Sequence, residues 1–134
     1  MKRINVGVIG FGGRGRSLAL RFHRHPDTRI AGVADPSEAG RARASEEFPD
    51  AQVFATTEDM LKNCDIDAVV IASPDYTHYE NAVRSLKHRK HVLLEKPMAQ
   101  TIEHCDDMIA AWKSLAPDRV FMVGLELRYC SLFI

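Results

Sequence analysis

Glycines at 10, 12 and 15 follow the apolar run Val6-Gly7-Val8-Ile9, and an acid, Asp35, stands twenty residues beyond the last of them. This spacing is that of a phosphate-binding turn between a strand and a helix, with a carboxylate placed to accept from ribose hydroxyls. Gly10 allows the tight turn out of the strand. Gly12 removes the Cβ that would hold the backbone away from a pyrophosphate, and Gly15 lets the helix pack close to the sheet. Together with Phe11, Gly13 and Arg14, these glycines form the expected phosphate loop, with free N–H groups and the positive helix end aimed at the anion. A glycine-rich turn alone would say little. The strand before it, the helix after it and the acid at the right distance make dinucleotide binding the expected chemistry. Asp35 would repel a 2′-phosphate and Pro36-Ser37-Glu38 bring no cation, so NAD is expected over NADP. Arg41 and Arg43 would favour NADP if they fold back.

Two further stretches carry chemistry. Ser73-Pro74-Asp75-Tyr76-Thr77-His78 follows the apolar run Asp67-Ala68-Val69-Val70-Ile71-Ala72, and Glu95-Lys96-Pro97 follows His91-Val92-Leu93-Leu94. Ligands of open parallel sheets sit beyond the carboxyl ends of the strands, so both stretches belong on the edge of the glycine loop. A lysine there, beside a nicotinamide, can hydrogen-bond a substrate hydroxyl and ease the loss of its proton as hydride leaves. Lys96 is equally consistent with a surface lysine paired with Glu95. His78, in a first helical turn, reads as catalytic or as a satisfied surface group.

These residues must be held by alternating strands and helices, which argues for an α/β doubly wound parallel sheet of Rossmann type, order 3-2-1-4-5-6. The first helix runs from near Gly12 through Phe22 and the second strand over Arg29–Ala34. Ser37 is placed to cap a helix reaching about Phe48. A short strand at Gln52–Ala55, a helix of about one turn at Thr57–Leu61 and the buried strand at 67–72 follow. A helix is predicted from Tyr76 to about Lys87, and another opening at Thr101-Ile102-Glu103 with Met108, Ile109 and Trp112 on one face. Val120–Val123 is the last predicted strand.

The chain of 134 residues is 46% hydrophobic and 27% charged, enough for one domain with a real core. Eighteen acidic residues balance eighteen basic ones, which removes the bulk electrostatic case for nucleic acid or an anionic membrane. No apolar run approaches the roughly 20 residues of a membrane span. Cysteines 64, 105 and 130 form no CxxC and are odd in number, so they read as reduced thiols of a cytoplasmic protein, and no metal site is expected. The last residues, Arg128-Tyr129-Cys130-Ser131-Leu132-Phe133-Ile134, lack a polar tail, which suggests a fragment cut after its last strand.

At these residues the chain resembles the N-terminal domain of the glucose-fructose oxidoreductase / inositol dehydrogenase / rhizopine-catabolism (Gfo/Idh/MocA) family. The likeness rests on the glycine loop, Val33-Ala34-Asp35-Pro36, the Ser-Pro-x-x-x-His stretch at 73–78, His91-Val92-Leu93-Leu94-Glu95-Lys96-Pro97 and Val123-Gly124-Leu125-Glu126-Leu127-Arg128-Tyr129. It implies a Rossmann domain over 1–124 and, at 125–134, the start of a link into a C-terminal α/β domain that is absent here. It also implies that Lys96 lies in the active site, that Ser73, Pro74, His78 and Glu95 line the nicotinamide side, and that Arg128 lies near cofactor or substrate. A cis bond before Pro97 is compatible with it. The activity implied is an NAD-dependent oxidoreductase moving hydride to or from a hydroxyl-bearing carbon of a sugar, cyclitol or related polyol. Its main acid/base pair would lie in the absent domain, the fragment alone would be inactive and the full protein would be a homo-oligomer. The alternative is a dinucleotide-sensing regulatory protein without catalysis, since fold does not fix function. Two positions depart from the family pattern: Arg89 stands where glycine is common, and Asp75 where asparagine is frequent. A non-glycine in the left-handed region at 89 would cost about 1 kcal/mol.

Overall fold

The structure is a computed structural model that describes residues 3–132. Its elements are β1 (Ile4–Ile9), α1 (Gly13–Arg24), β2 (Thr28–Ala34), α2 (Glu38–Glu47), β3 (Gln52–Phe54) and α3 (Thr57–Asn63), followed by β4 (Ala68–Ile71), α4 (His78–Lys87), β5 (His91–Leu94), α5 (Ile102–Leu115) and β6 (Phe121–Val123). The six strands are all parallel and lie in the order β3-β2-β1-β4-β5-β6. The order reverses between β1 and β4, which opens a crevice at their carboxyl ends.

Alternation along the strands sends side chains to two apolar layers. Val6 and Val8 of β1 join Ala19, Ala44, Phe48 and Phe11 under α1 and α2. Val69 and Ile71 of β4 join Met60, Leu86 and Met108 under α3, α4 and α5. The helices start where the sequence supplies caps. Ser37 Oγ accepts from the Gly40 N–H at 3.0 Å, Thr56 from Asp59 at 3.1 Å and Thr101 from His104 at 3.2 Å. Helix α1 is different: Gly12 stands at its N-cap without a side-chain cap, and no acid occupies its first turn.

Several boundaries differ from the sequence expectation. The helix expected from Tyr76 begins at His78, behind a 3₁₀ turn at Asp75–Thr77. Pro74 disfavours helix just upstream, and the Asp75 carboxylate accepts from the Tyr76 N–H. Helix α3 runs two turns rather than one, and β6 begins at Phe121, one residue later than expected. Ile109 does not share the buried face: Met108 is fully buried while Ile109 is exposed, about 100° further round the helix. Arg89 does adopt the left-handed region, with φ of 54°. The Lys96–Pro97 bond is cis. In the terminal stretch, Glu126–Tyr129 forms a 3₁₀ turn, and Phe133 and Ile134 lie outside the described residues. All three cysteines are free, and among the described residues no helix is long and apolar enough to cross a membrane.

Candidate functional site

The carboxyl ends of β1, β2 and β4 enclose a cleft of about 660 Å³, reaching from Asp35 and Thr56 past Gly12 and Gly13 to Ser73 and Asn81. A second hollow of about 370 Å³ continues it beyond Arg14 and Ser73, and brings together Asp75, His78, Glu95, Lys96 and Glu126. A larger hollow of about 760 Å³ opens at the opposite edge, beside Arg29, Gln52 and Asp65 at the amino ends of the strands. Sheet polarity favours the first two, which also hold Gly10, Gly12, Gly13, Arg14, Asp35, Ser73, Pro74, His78, Glu95 and Lys96, but not Phe11, Gly15 or Arg128.

The glycine loop is shaped by packing beneath it and open above it. Gly10 has φ of +85°, and a Cβ there would lie 2.6 Å from the Ser73 Cα. A Cβ on Gly15 would fall 1.9 Å from the Gly10 carbonyl oxygen, so only glycine lets α1 sit this close to the turn. A Cβ on Gly12 would meet nothing within 4 Å and would project into the open cleft. Among the described residues the N–H groups of Gly12, Gly13, Arg14 and Gly15 have no protein acceptor, while the next, Arg16, bonds the Gly12 carbonyl. An uncapped helix start with free amides and no acid in its own first turn fits a diphosphate.

Phe11 has another task than the loop position suggested. Its ring is buried against Phe48, edge to face at 5.9 Å. Its N–H donates to Asp35 Oδ2 at 2.7 Å, so neither ring nor amide is free for a ligand. Asp35 is correspondingly occupied. Besides Phe11, it accepts from the Ser37 N–H at 2.8 Å and the Ser37 hydroxyl at 2.7 Å. Burial pushes its carboxyl pKa up, but these bonds and the charge of Arg41 outweigh that and hold it below the ordinary value. The carboxylate thus pins the loop to the end of β2 and still borders the cleft where an adenosine ribose would lie. Arg41 folds back, as the NADP alternative requires, but its Nη1 is taken by the carbonyl oxygens of Asp35 and Pro36 at 3.0 and 2.8 Å.

On the other side, Ser73 Oγ is the hub of a hydroxyl–amide chain. It accepts from Thr77 Oγ1 at 2.7 Å and Asn81 Nδ2 at 3.2 Å, and Asn81 Oδ1 accepts from the buried Thr57 hydroxyl at 2.9 Å. Thr57, Thr77 and Asn81 carry no motif of their own, and sequence reading passes over them. His78 is 2% exposed and bridges two strand-end loops, with Nδ1 2.7 Å from the Pro97 carbonyl oxygen and Nε2 3.0 Å from that of Ser73. It is neither a surface group nor free to act on a ligand with a ring nitrogen.

Glu95 is 7% exposed, and its partner is not its neighbour. Arg14 Nε donates to Glu95 Oε1 at 2.7 Å, and Arg14 Nη2 to Glu126 Oε2 at 2.7 Å. The side-chain bond to Glu95 raises the Arg14 pKa further, against the opposing effect of burial. Lys96 is exposed in the second hollow and, among the described residues, no carboxylate pairs with its ammonium. The expected alternative of a Glu95–Lys96 surface pair is not formed. Arg128 does not reach the cleft walls; Glu126, two residues earlier, does.

A family model described as "Oxidoreductase family, NAD-binding Rossmann fold" matches residues 4–124. The inositol 2-dehydrogenase of Rubrobacter xylanophilus is 38% identical over 129 residues, covering 96% of this chain and 37% of that protein. The 2,7-anhydro-N-acetylneuraminate hydratase of Escherichia coli is 35% identical over 122 residues, covering 90% of this chain and 31% of the relative. Among solved structures, scyllo-inositol dehydrogenase from Lactobacillus casei with bound cofactor NAD(H) and scyllo-inositol superposes with a TM-score of 0.91 at 27% identity, over 97% of this chain and 38% of that one. The chain therefore spans about a third of the length of these relatives.

Proposed function

The chain belongs to the Gfo/Idh/MocA oxidoreductase family, as its NAD-binding Rossmann domain, and from that premise we propose that it binds NAD(H) for hydride exchange with a hydroxyl-bearing carbon of a cyclitol or sugar. The observation that carries this is the free Lys96 ammonium beside the opening of a cleft whose other end is an uncapped, acid-free helix start. The first-turn amides from Gly12 to Gly15 hold the diphosphate, Asp35 orders the loop and accepts from the adenosine ribose, and the Ser73 hydroxyl system faces the second ribose. When bound, the nicotinamide supplies the hydride acceptor or donor. Lys96 donates to the substrate oxygen, stabilises negative charge on it and eases the departure of its proton. Glu95 and His78 shape the wall around it, and Pro74 lines the adjoining cleft.

Residues 125–134 lead, in this reading, into a substrate domain that completes the pocket and brings the main proton acceptor, and the whole protein is a homo-oligomer. Three free thiols fit a cytoplasmic location. That one relative bears the name of a hydratase leaves the net reaction to be set by that further domain. A sensor without catalysis would have no use for an unpaired lysine at this position, which favours the enzyme.

Calorimetric titration of the chain with NADH and, separately, NADPH tests the proposal. NADH is expected to bind more tightly, and inositol with NAD to give no turnover above background from these 134 residues alone. Binding of neither nucleotide by a folded chain would overturn it. Preference for NADPH would move the specificity to Arg41.

A further inference from the structure

Lys96 is useful only if its ammonium is uncommitted, yet its immediate neighbour is a buried acid whose carboxylate borders the same hollow. Glu95 Oε2 accepts from the Lys96 backbone N–H at 3.3 Å, and the two side chains line the same hollow. What occupies Glu95 instead is Arg14, from the opposite wall, with its Nε 2.7 Å from Oε1. The same guanidinium reaches Glu126 at 2.7 Å. Arg14 is thereby turned away from the free amides of its own loop and towards two carboxylates. It is also a wall of both hollows, the only long side chain in the glycine loop that spans them.

We propose that Arg14 is a positioning residue that sequesters the Glu95 carboxylate and so keeps the Lys96 ammonium free for a substrate hydroxyl. The proposal rests on Lys96 being the hydroxyl-binding group. It gives Arg14 a role distinct from phosphate binding. An arginine suits it because its planar fork serves two carboxylates at once, which an ammonium does with less geometric control. Without it, a mostly buried carboxylate would be left unpaired, and the other cation lining its hollow is Lys96. The far flank of Lys96 is already fixed by His78 on the Pro97 carbonyl, so Glu95 is the neighbour whose side chain has to be restrained.

Acetylation of individual lysines by a trace of acetic anhydride, read by mass spectrometry on the folded chain, reports how readily each ammonium gives up its proton. In Arg14→Gln, Lys96 is expected to label about three- to fivefold more slowly than in the parent, the size of a partly buried ion pair. Lys62 and Lys113 serve as unaffected references. The double variant Arg14→Gln/Glu95→Gln should restore the parent rate. An unchanged Lys96 rate in folded Arg14→Gln overturns the proposal. So does a slowing that survives in the double variant, because the effect would then not run through Glu95. If Arg14→Gln does not fold, Arg14→Met, which keeps the apolar stem, is read in its place: slower Lys96 labelling that a second Glu95→Gln substitution abolishes is expected, and an unchanged rate overturns the proposal. The labelling reads this contact whether or not a polyol is the substrate, so its failure and that of the functional reading are separable.

Discussion

Asp35 and the glycines act on different sides of one loop, and single substitutions separate them. Gly15→Ala forces a Cβ into the Gly10 carbonyl and should cost roughly 2–4 kcal/mol of stability, if it folds at all. Gly12→Ala meets only open space, so urea unfolding should show a loss under about 1 kcal/mol. NADH affinity should nevertheless drop about tenfold or more, because the methyl stands where the diphosphate approaches. Equal losses of stability in the two variants would refute this division. Asp35 carries a pH signature. Its folded pKa lies below the unfolded value of about 4, so its contribution is complete above that value and is lost as pH falls through the lower folded one. Asp35→Asn should therefore be less stable than the parent at pH 7, with the gap in urea midpoint closing towards pH 3. A gap that stays constant with pH would mean that the charge of Asp35 does not hold the loop.

At the scale of elements, α4 and the strand ends around it decide the geometry, and here the sequence was legible in part. The strand order, the caps at Ser37 and Thr101 and the placing of Lys96 at the end of β5 follow from local patterns of apolar runs, turn residues and cap residues. Partnerships across the sheet do not, because they join residues far apart in the chain. The pairing of Arg14 with Glu95 and Glu126 is of this kind, as are the burial of the Phe11 ring and the bridge made by His78. Nothing in the spacing of Glu95 and Lys96 tells which cation the acid prefers. Position 89 lies between the two cases. The glycine common at this position in the family made a left-handed backbone one of two options, and neither included its compensation: the Arg89 side chain donates to the Leu115 carbonyl at 2.8 Å and pairs with Asp118 at 2.6 Å. Comparing Arg89→Ala with Arg89→Gly separates the terms. Both lose the exposed pair, and only glycine relieves the backbone, so thermal melts should place the glycine variant about 1 kcal/mol above the alanine one. Equal stability would mean that the turn carries no left-handed penalty.

For the molecule as a whole, the cleft lies across the seam where the strand order reverses, so a bound dinucleotide touches both halves of the sheet at once. One wall is made by the ends of β1 and β2 with Thr56 and Thr57 at the start of α3, and the other by the ends of β4 and β5, while each apolar layer takes side chains from both halves. The two layers share every central strand, so the chain should unfold in a single transition, with far-UV and tryptophan signals coinciding. A ligand that binds only the folded state adds about 2.7 kcal/mol at a hundredfold excess over its Kd, and for a domain of this size that is a rise of about 10 °C in Tm. NADH should give this shift. If, as proposed, the loop amides, Asp35 and the first wall recognise the diphosphate and adenosine, ADP-ribose should give most of it and nicotinamide mononucleotide little. The reverse order would place the main binding energy around Ser73 and Lys96. The glycine loop would then be a packing feature of the fold rather than the anchor of the cofactor.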